Sequence, residues 1–353
     1  MVSNAGSAER NIVLQTRIEY GIYIYAASPA RAAETVKSMA KQQLRAGLLA
    51  MTVTVLTWGG LFPVGKIVLA TLDPYYLTVI RYGTASVLLL VILMLVEGPR
   101  ALAGLQRDPR RGRLLFFGTM GFAGFSLFTF AGLKTTTAEQ AAVINGMQPL
   151  MMALVLWAVR GIRPAKVTQA CIALAFAGCV IVVSRGDLGA LAASGSLGGD
   201  ALVLAGALCW VIYTLGAASF RDWSPLRYTA LSCALGTLGI FFFAALATAL
   251  GVAHVPSLAQ VGDVFWEMSF LIVMASVVAV LLWNVGVSKL GAVNATLFGN
   301  FIPVVVFAIG LIDGRRDAPA EYLGAALVLL ALVANNLYAR WAMKRSWQRL
   351  DAV

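Results

Sequence analysis

The chain has 353 residues, of which 60% are hydrophobic and 12% charged, and its net charge is +11. Water-soluble domains carry roughly a quarter charged residues, so a soluble globule is excluded: too few polar groups are present to cover so apolar a core, and lipid is the solvent for most of the chain. A nucleic-acid partner is not expected either, because the basic residues are concentrated in alternate loops, the distribution of a membrane-topology signal.

Residues 1–45 differ from the rest. The stretch "IVLQTRIEYGIYIYAASP" is too short and too mixed to span a bilayer, which leaves a surface-lying segment, a mobile tail, or sequence upstream of the natural start. Met39, followed by "AKQQLRAGLLAM", resembles such a start just before a first membrane helix. Ten apolar runs follow, at roughly 47–70, 75–97, 113–133, 138–159, 165–184, 199–219, 225–250, 264–287, 292–312 and 320–342, each near the ~20 residues that cross a bilayer. Backbone amides in lipid must be bonded internally, and the alternating ten-residue strands of a barrel are missing, so the expected fold class is an all-α membrane protein of ten transmembrane helices.

The first run contains "WGGLFPVGK", which almost spells a phosphate-binding loop through Gly60, Gly65 and Lys66. Ile67 stands where a Ser or Thr would hold magnesium, and no strand precedes it, so a nucleotide site is rejected. As a helix the stretch reads better. Pro63 has no N–H for the carbonyl of Gly59 and predicts a hinge, Gly59, Gly60 and Gly65 admit another backbone, and Trp58 and Phe62 share a face. Lys66 is expected to snorkel to headgroups. In the second run Arg81 lies about two turns deep; it either binds a substrate carboxylate or bonds helix-end carbonyls and holds the fold. In the third, "GTMGFAG" (118–124) predicts close packing.

The fourth run opens on Glu139, and the eighth on Glu267; these are the two acids considered for proton coupling, each with a plain interfacial reading beside it. Asn145 and Gln148, three apart, share a face of the fourth helix. Pro149 frees the carbonyl of Asn145 and Pro303 that of Gly299, so both are candidate hinges. Trp58, Asn145, Gln148, Trp210, Tyr213, Trp283 and Asn300 should form a belt at mid-membrane, used either for substrate or for interhelical hydrogen bonds. Trp157, Trp266 and Trp341 read as interfacial anchors. Cys171, Cys179, Cys209 and Cys233 lie in apolar runs and the single histidine, His254, in a loop; no metal site is expected.

With the N-terminus inside, 21 of the 27 Lys and Arg fall on the inner side, while the outer loops hold four: Lys134, Arg185, Arg315 and Arg316. This positive-inside bias predicts cytoplasmic termini. The chain also repeats. "GLKTTTAEQAAVINGMQP" (132–149) aligns without a gap on "GVSKLGAVNATLFGNFIP" (286–303) at an offset of 154, matching Gly132 with Gly286, Ala138 with Ala292, Ala141 with Ala295 and Pro149 with Pro303. Trp58 and Trp210, and Pro74 and Pro225, are spaced by nearly the same interval. Five helices per half is an odd number, so the second half enters from the opposite side, an inverted repeat of the kind secondary transporters use.

This layout resembles the EamA type of the drug/metabolite transporter superfamily, through "WGGLFPVGK", "DPYYLTVIRY" (73–82), "AAVINGMQP" and "ATLFGNFIP", over about residues 46–343. The resemblance implies ten helices in two inverted five-helix repeats, 46–185 and 198–343, with cytoplasmic tails at 1–45 and 344–353. It also implies export or exchange of small metabolites, often amino acids or their relatives. The family often carries an arginine at the position of Arg81. The expected partners are a small-molecule substrate and the lipid bilayer, with no cofactor, no metal and no nucleic acid; the expected state is a monomer or weak dimer in a bacterial plasma (inner) membrane. An intramembrane enzyme would want a buried Ser/His, Asp/Asp or metal–histidine set, and the apolar runs contain none. A structural or sensory membrane protein stays open as the alternative.

Overall fold

A computed structural model describes residues 29–106, 108–187, 196–292, 295, 297–315 and 318–350. Much of the expected N-terminal tail, and Arg316, lie outside these residues. The chain divides into two compact units, Met1–Leu49 and Ala50–Val353, and the second holds everything that follows. Among the described residues every regular element is helical. Besides the short helices Arg100–Ala103 and Leu258–Asp263, they are in chain order α1 (Pro29–Val68), α2 (Pro74–Glu97), α3 (Arg111–Leu133), α4 (Ala138–Gly146), α5 (Gln148–Arg160), α6 (Lys166–Ser184), α7 (Leu197–Phe220), α8 (Pro225–Ala249), α9 (Phe265–Leu290), α10 (Phe298–Ile312) and α11 (Pro319–Leu350).

Seven of these are long and apolar enough to cross a membrane, or up to eight if α4 and α5, bent by 44°, form one broken span. Shorter apolar helices, α10 and the Pro319–Asn335 part of α11, stand where the ninth and tenth runs were expected. Local chemistry sets the ends. Asp73 accepts from the amides of Tyr75 and Tyr76 while Pro74 opens α2, the pairing of an N-cap acceptor with a proline that has no orphan N–H. Thr137 and Gln140 close a reciprocal capping box on α4, and α5 stops at Gly161, whose φ of 67° is left-handed.

The two prolines that end the aligned segments, Pro149 and Pro303, occupy the same structural position. The first helix ends at Gly146 and α5 restarts at Gln148 with Pro149 in its opening turn. Likewise a 3₁₀ turn over Leu297–Phe301 gives way to an α-helix at Ile302 with Pro303 in its opening turn. A proline suits the start of a helix because the amide it lacks would go unbonded there anyway. Pro63 differs: α1 runs through it continuously to Val68. The third helix of each half carries a π-helical stretch, Thr119–Gly124 in α3 and Phe270–Val278 in α9, and the offset of 154 carries the first onto residues 273–278, inside the second.

Three matched pairs of helices, α2 with α8, α4 with α10 and α6 with α11, meet and run antiparallel. Along α2 from Tyr76 to Gly83 the partner on α8 moves back from Thr248, which shares a 2.9 Å hydrogen bond with the Tyr76 hydroxyl, to Phe241. Glu139 of α4 faces Gly310 of α10, and Gly146 faces Pro303. On α6 and α11 the contact is reciprocal: Gly178 lies against Gly324 and Val328, and Gly324 against Gly178 and Val182. A Cβ on Gly178 would stand 2.7 Å from the Gly324 carbonyl oxygen, and one on Gly324 2.5 Å from the Gly178 oxygen. Only a residue without a side chain permits this approach, the same device that lets membrane helices associate through small residues.

Gly178→Val should therefore force α6 from α11, at a cost of about 1–3 kcal/mol, read as a lower melting temperature of the detergent-solubilised protein. Gly262→Ala, at a position where an added Cβ meets nothing within 4 Å, should leave the melt unchanged.

Candidate functional site

At the centre of the bundle α1 delivers Trp58 and Phe62, α2 delivers Arg81, the α4–α5 break delivers Asn145 and Gln148, and α7 delivers Trp210. These six, with Leu61, Tyr82, Phe125 and Ile302, line one cavity of ≈ 20 Å³, room for about one water molecule. Both halves of the chain contribute to it.

The aromatic wall is contiguous. Trp58 lies edge-on to Trp210 at 5.2 Å and against Trp283 at 5.1 Å; Trp210 in turn touches Phe125 at 5.2 Å and Tyr213 at 5.0 Å. The Trp58 indole N–H donates to the Ala275 carbonyl at 3.0 Å, whereas the buried Trp210 Nε1 meets no acceptor. The polar wall is the amide pair: Gln148 Nε2 donates to Asn145 Oδ1 at 3.2 Å, and Asn145 Nδ2 donates back to the Ala141 carbonyl at 3.0 Å.

Arg81 is 1% exposed. Its Nε donates to the Ser276 hydroxyl at 2.6 Å and approaches the Leu271 carbonyl at 3.4 Å, while Nη2 approaches the Ala275 carbonyl at 3.5 Å. All three partners lie in the π-helical stretch of α9, where the wider turn leaves carbonyls off the regular ladder. The guanidinium also lies over the rings of Tyr82 and Phe130, at 4.6 and 5.5 Å. Nη1 is buried with no hydrogen-bond partner, and among the described residues no carboxylate forms an ion pair with this cation.

Three sequence candidates stand apart from the cavity lining. Tyr213 and Trp283 form the next layer: Trp283 Nε1 donates to Thr214 at 3.3 Å, and the Tyr213 hydroxyl accepts from Asn284 Nδ2 at 2.9 Å. The Tyr213 ring rests on α3 where a Cβ at Gly121 would come within 2.5 Å of it, so the small residues of "GTMGFAG" make room for an aromatic. Asn300 is buried, with Oδ1 unpaired, outside the lining of this cavity. Beyond the second layer opens a larger cavity of ≈ 410 Å³, lined among others by Thr214, Arg221, Tyr228, Asn284 and Ser288. Asn284, which bonds Tyr213 at one side and lines this cavity at the other, escaped the sequence reading because one amide in an apolar run gives no periodic signal.

The far end of the bundle is tied shut by polar contacts. Lys66 departs from the expected snorkelling: Nζ donates to the carbonyls of Leu133 at 2.6 Å and Thr136 at 2.7 Å, a cation placed on the C-terminal carbonyls of α3. Glu139 is buried and pairs with Arg315 at 2.9 Å, and Arg185 approaches the buried Glu321 at 3.5 Å. Glu267, half-buried in the first turn of α9, has no ion pair among the described residues. Asp200 and Thr136, which composition alone did not single out, also meet here, at 2.5 Å.

The opposite rim is held by Arg110, which donates to Asp108 and to Asp222 at 2.6–2.8 Å and to the Ser219 carbonyl at 3.0 Å, joining the loop before α3 to the loop after α7. The hydrogen bonds from Arg110 hold the Asp222 carboxyl down at about 2.

A family model described as the EamA-like transporter family matches residues 45–184 and again 197–337. The chain belongs to the EamA-like transporter family. It is 31% identical to the uncharacterized transporter YrdR of Bacillus subtilis, over 86% of this chain and 94% of that one, and 27% identical to the uncharacterized transporter YyaM of the same organism, over 79% and 89%. A solved structure titled "Crystal structure of protein" superposes with a TM-score of 0.59 at 21% identity, covering 83% of this chain and 98% of that one; this shows a shared fold. With its apolar helices, this EamA-like chain is a multi-pass membrane protein of a transporter family.

The Arg110 rim yields a pH prediction. Because the folded value of Asp222 is depressed, its contribution is fully present above the ordinary aspartate value of ~3.9 and is lost as pH falls towards about 2. The difference in melting temperature between the wild type and Asp222→Asn should be constant from pH 5 to 8 and shrink below pH 4.

Proposed function

We propose that the protein is a secondary transporter that exports or exchanges a small carboxylate-bearing organic solute with an apolar or aromatic group, an amino acid or a close relative, by alternating access at the interface of its halves. One observation carries the reading: among the described residues, a buried Arg81 has Nη1 unbonded and no carboxylate in an ion pair with it, at the edge of a cavity walled by Trp58, Phe62 and Trp210 on one side and by the Asn145–Gln148 amides on another. A buried guanidinium without an anion is costly, and a carboxylate on Nη1 would restore the balance; Nε stays on α9, so Arg81 serves site and fold at once. The rings offer an apolar face, and the amides are suited to an amino or hydroxyl group.

The antiparallel contacts between matched helices support an inverted repeat, and the twin α4–α5 and α10 starts at Pro149 and Pro303 support hinges at equivalent places. The loop charge bias supports cytoplasmic termini, and the Bacillus relatives support a bacterial plasma membrane. On that orientation the Glu139 end is extracellular and closed, and the ≈ 410 Å³ cavity faces the cytoplasm. Trp58, Trp210 and Trp283 then form the partition between that cavity and the site, and a solute larger than the present ≈ 20 Å³ is admitted as these rings part.

The test is efflux of labelled amino acids from proteoliposomes. Arg81→Lys keeps the charge but loses the planar fork, and should cut flux by about 10- to 100-fold, the loss expected for a charged hydrogen bond; Trp210→Phe should weaken affinity more than maximal rate. Unchanged flux in a folded Arg81→Lys protein would remove Arg81 from the site. A wild-type protein that folds but passes no amino acid would dismiss that substrate class.

A further inference from the structure

Thr136, Gln140 and Asp200 are 2%, 3% and 6% exposed and lie together where the first half meets α7. Thr136 Oγ1 stands 2.5 Å from Asp200 Oδ1 and 2.8 Å from Gln140 Oε1. The Gln140 amide is fixed in orientation. Its Nε2 donates to the Val183 carbonyl at 3.3 Å, and Oε1 accepts from the Thr137 amide at 3.3 Å; turned over, both contacts would set like against like. Gln140 Oε1 is therefore an acceptor, and an ionised Asp200 would be another. A threonine hydroxyl has one hydrogen to give, so three oxygens in two contacts need a second proton. Asp200 supplies it if Oδ1 carries a hydrogen donated to Thr136, which donates onward to Gln140.

A further fact agrees. Among the described residues Asp200 Oδ2 is buried with no hydrogen-bond partner, a costly condition for a carboxylate and a mild one for a carboxylic acid.

We infer that Asp200 is protonated in this conformation and releases its proton when the Glu139 end opens, which makes it the proton-coupling acid of the transporter; the coupling rests on the transport reading above. Opening parts α7 from the α3–α4 junction, water reaches the carboxyl, the Asp200 O–H bond breaks and the proton passes to water; closure reverses the step. Among the described residues, the charged and titratable groups around it are Lys66 on α1, held by the Leu133 and Thr136 carbonyls; Glu139 on α4, held by Arg315; the Cys179 thiol on α6, which interacts with Asp200; the Arg185–Glu321 pair; and exposed Lys134. Glu139, the acid singled out in the sequence, already has its cation, which leaves Asp200 as the better proton carrier.

Infrared difference spectra of the full chain in lipid nanodiscs test the proton. At pH 7 the C=O stretch of a protonated carboxyl should be present in the wild type, absent in Asp200→Asn and retained in Glu139→Gln; Thr136→Val, which removes the acceptor but keeps the acid, should move the band rather than delete it. Spectra that are the same with and without Asp200 would overturn the assignment. Opening is read in a variant lacking the four native cysteines and carrying Leu61→Cys in the central cavity, with an impermeant thiol reagent added outside. The thiolate fraction itself rises with pH, so the labelling rate is divided by that of the same Leu61→Cys protein carrying Asp200→Asn; this ratio should be about tenfold greater at pH 9 than at pH 6. A ratio that does not change with pH would overturn the coupling. Both results as expected, with no solute flux, would sink the transport reading and leave the proton on Asp200.

Discussion

Arg81 is bonded to backbone oxygens of another helix, and the centre of the molecule depends on that arrangement. A regular α9 would have no carbonyls to spare for a side chain arriving from α2. The π-helical stretch supplies Leu271 and Ala275 oxygens and turns Ser276 toward the guanidinium. Trp58 uses the Ala275 carbonyl as well, so α1 and α2 of the first half both lock onto the same irregular turn of the second. In lipid, where an unbonded amide or carbonyl has no water to fall back on, an irregular turn survives only with such partners.

The two ends of the bundle obey different chemistry. One is closed by charges and hydroxyls on backbone carbonyls and buried acids; the other is rimmed by an exposed ion-pair cluster around a cavity. Between them lies a layer of rings with almost no free volume. Two halves with matched helix starts at Pro149 and Pro303 thus end in different chemistry at the two sides of the bundle.

Much of this was legible in the residues. Trp58, Phe62, Arg81, Asn145, Gln148 and Trp210 converge on one cavity because periodicity within a helix, and a repeat offset between helices, both translate directly into shared faces. Tyr213 and Trp283 sit one layer back, since a face says nothing about depth. Lys66 was misread because a lysine near a helix end looks the same whether its amine meets headgroups or the carbonyls of a neighbouring helix. Asp200 and Asn284 went unnoticed for a related reason: a lone polar residue in an apolar run acquires meaning only from the residue opposite, and that partner lies at a sequence distance no local pattern encodes. The helix count blurred where proline, glycine and π turns interrupt the runs.

The crossing of α6 and α11 has a mechanical consequence. Gly178 and Gly324 meet backbone to backbone, with Val182 and Val328 as the nearest side chains. Most helix pairs interdigitate ridges and grooves, so displacement along the axis must lift knobs out of holes. Here Val328 lies over Gly178 and Val182 over Gly324, so the same holds at the point of closest approach. The pair is built like a keyed joint, which fixes the register of α6 on α11 as well as their separation.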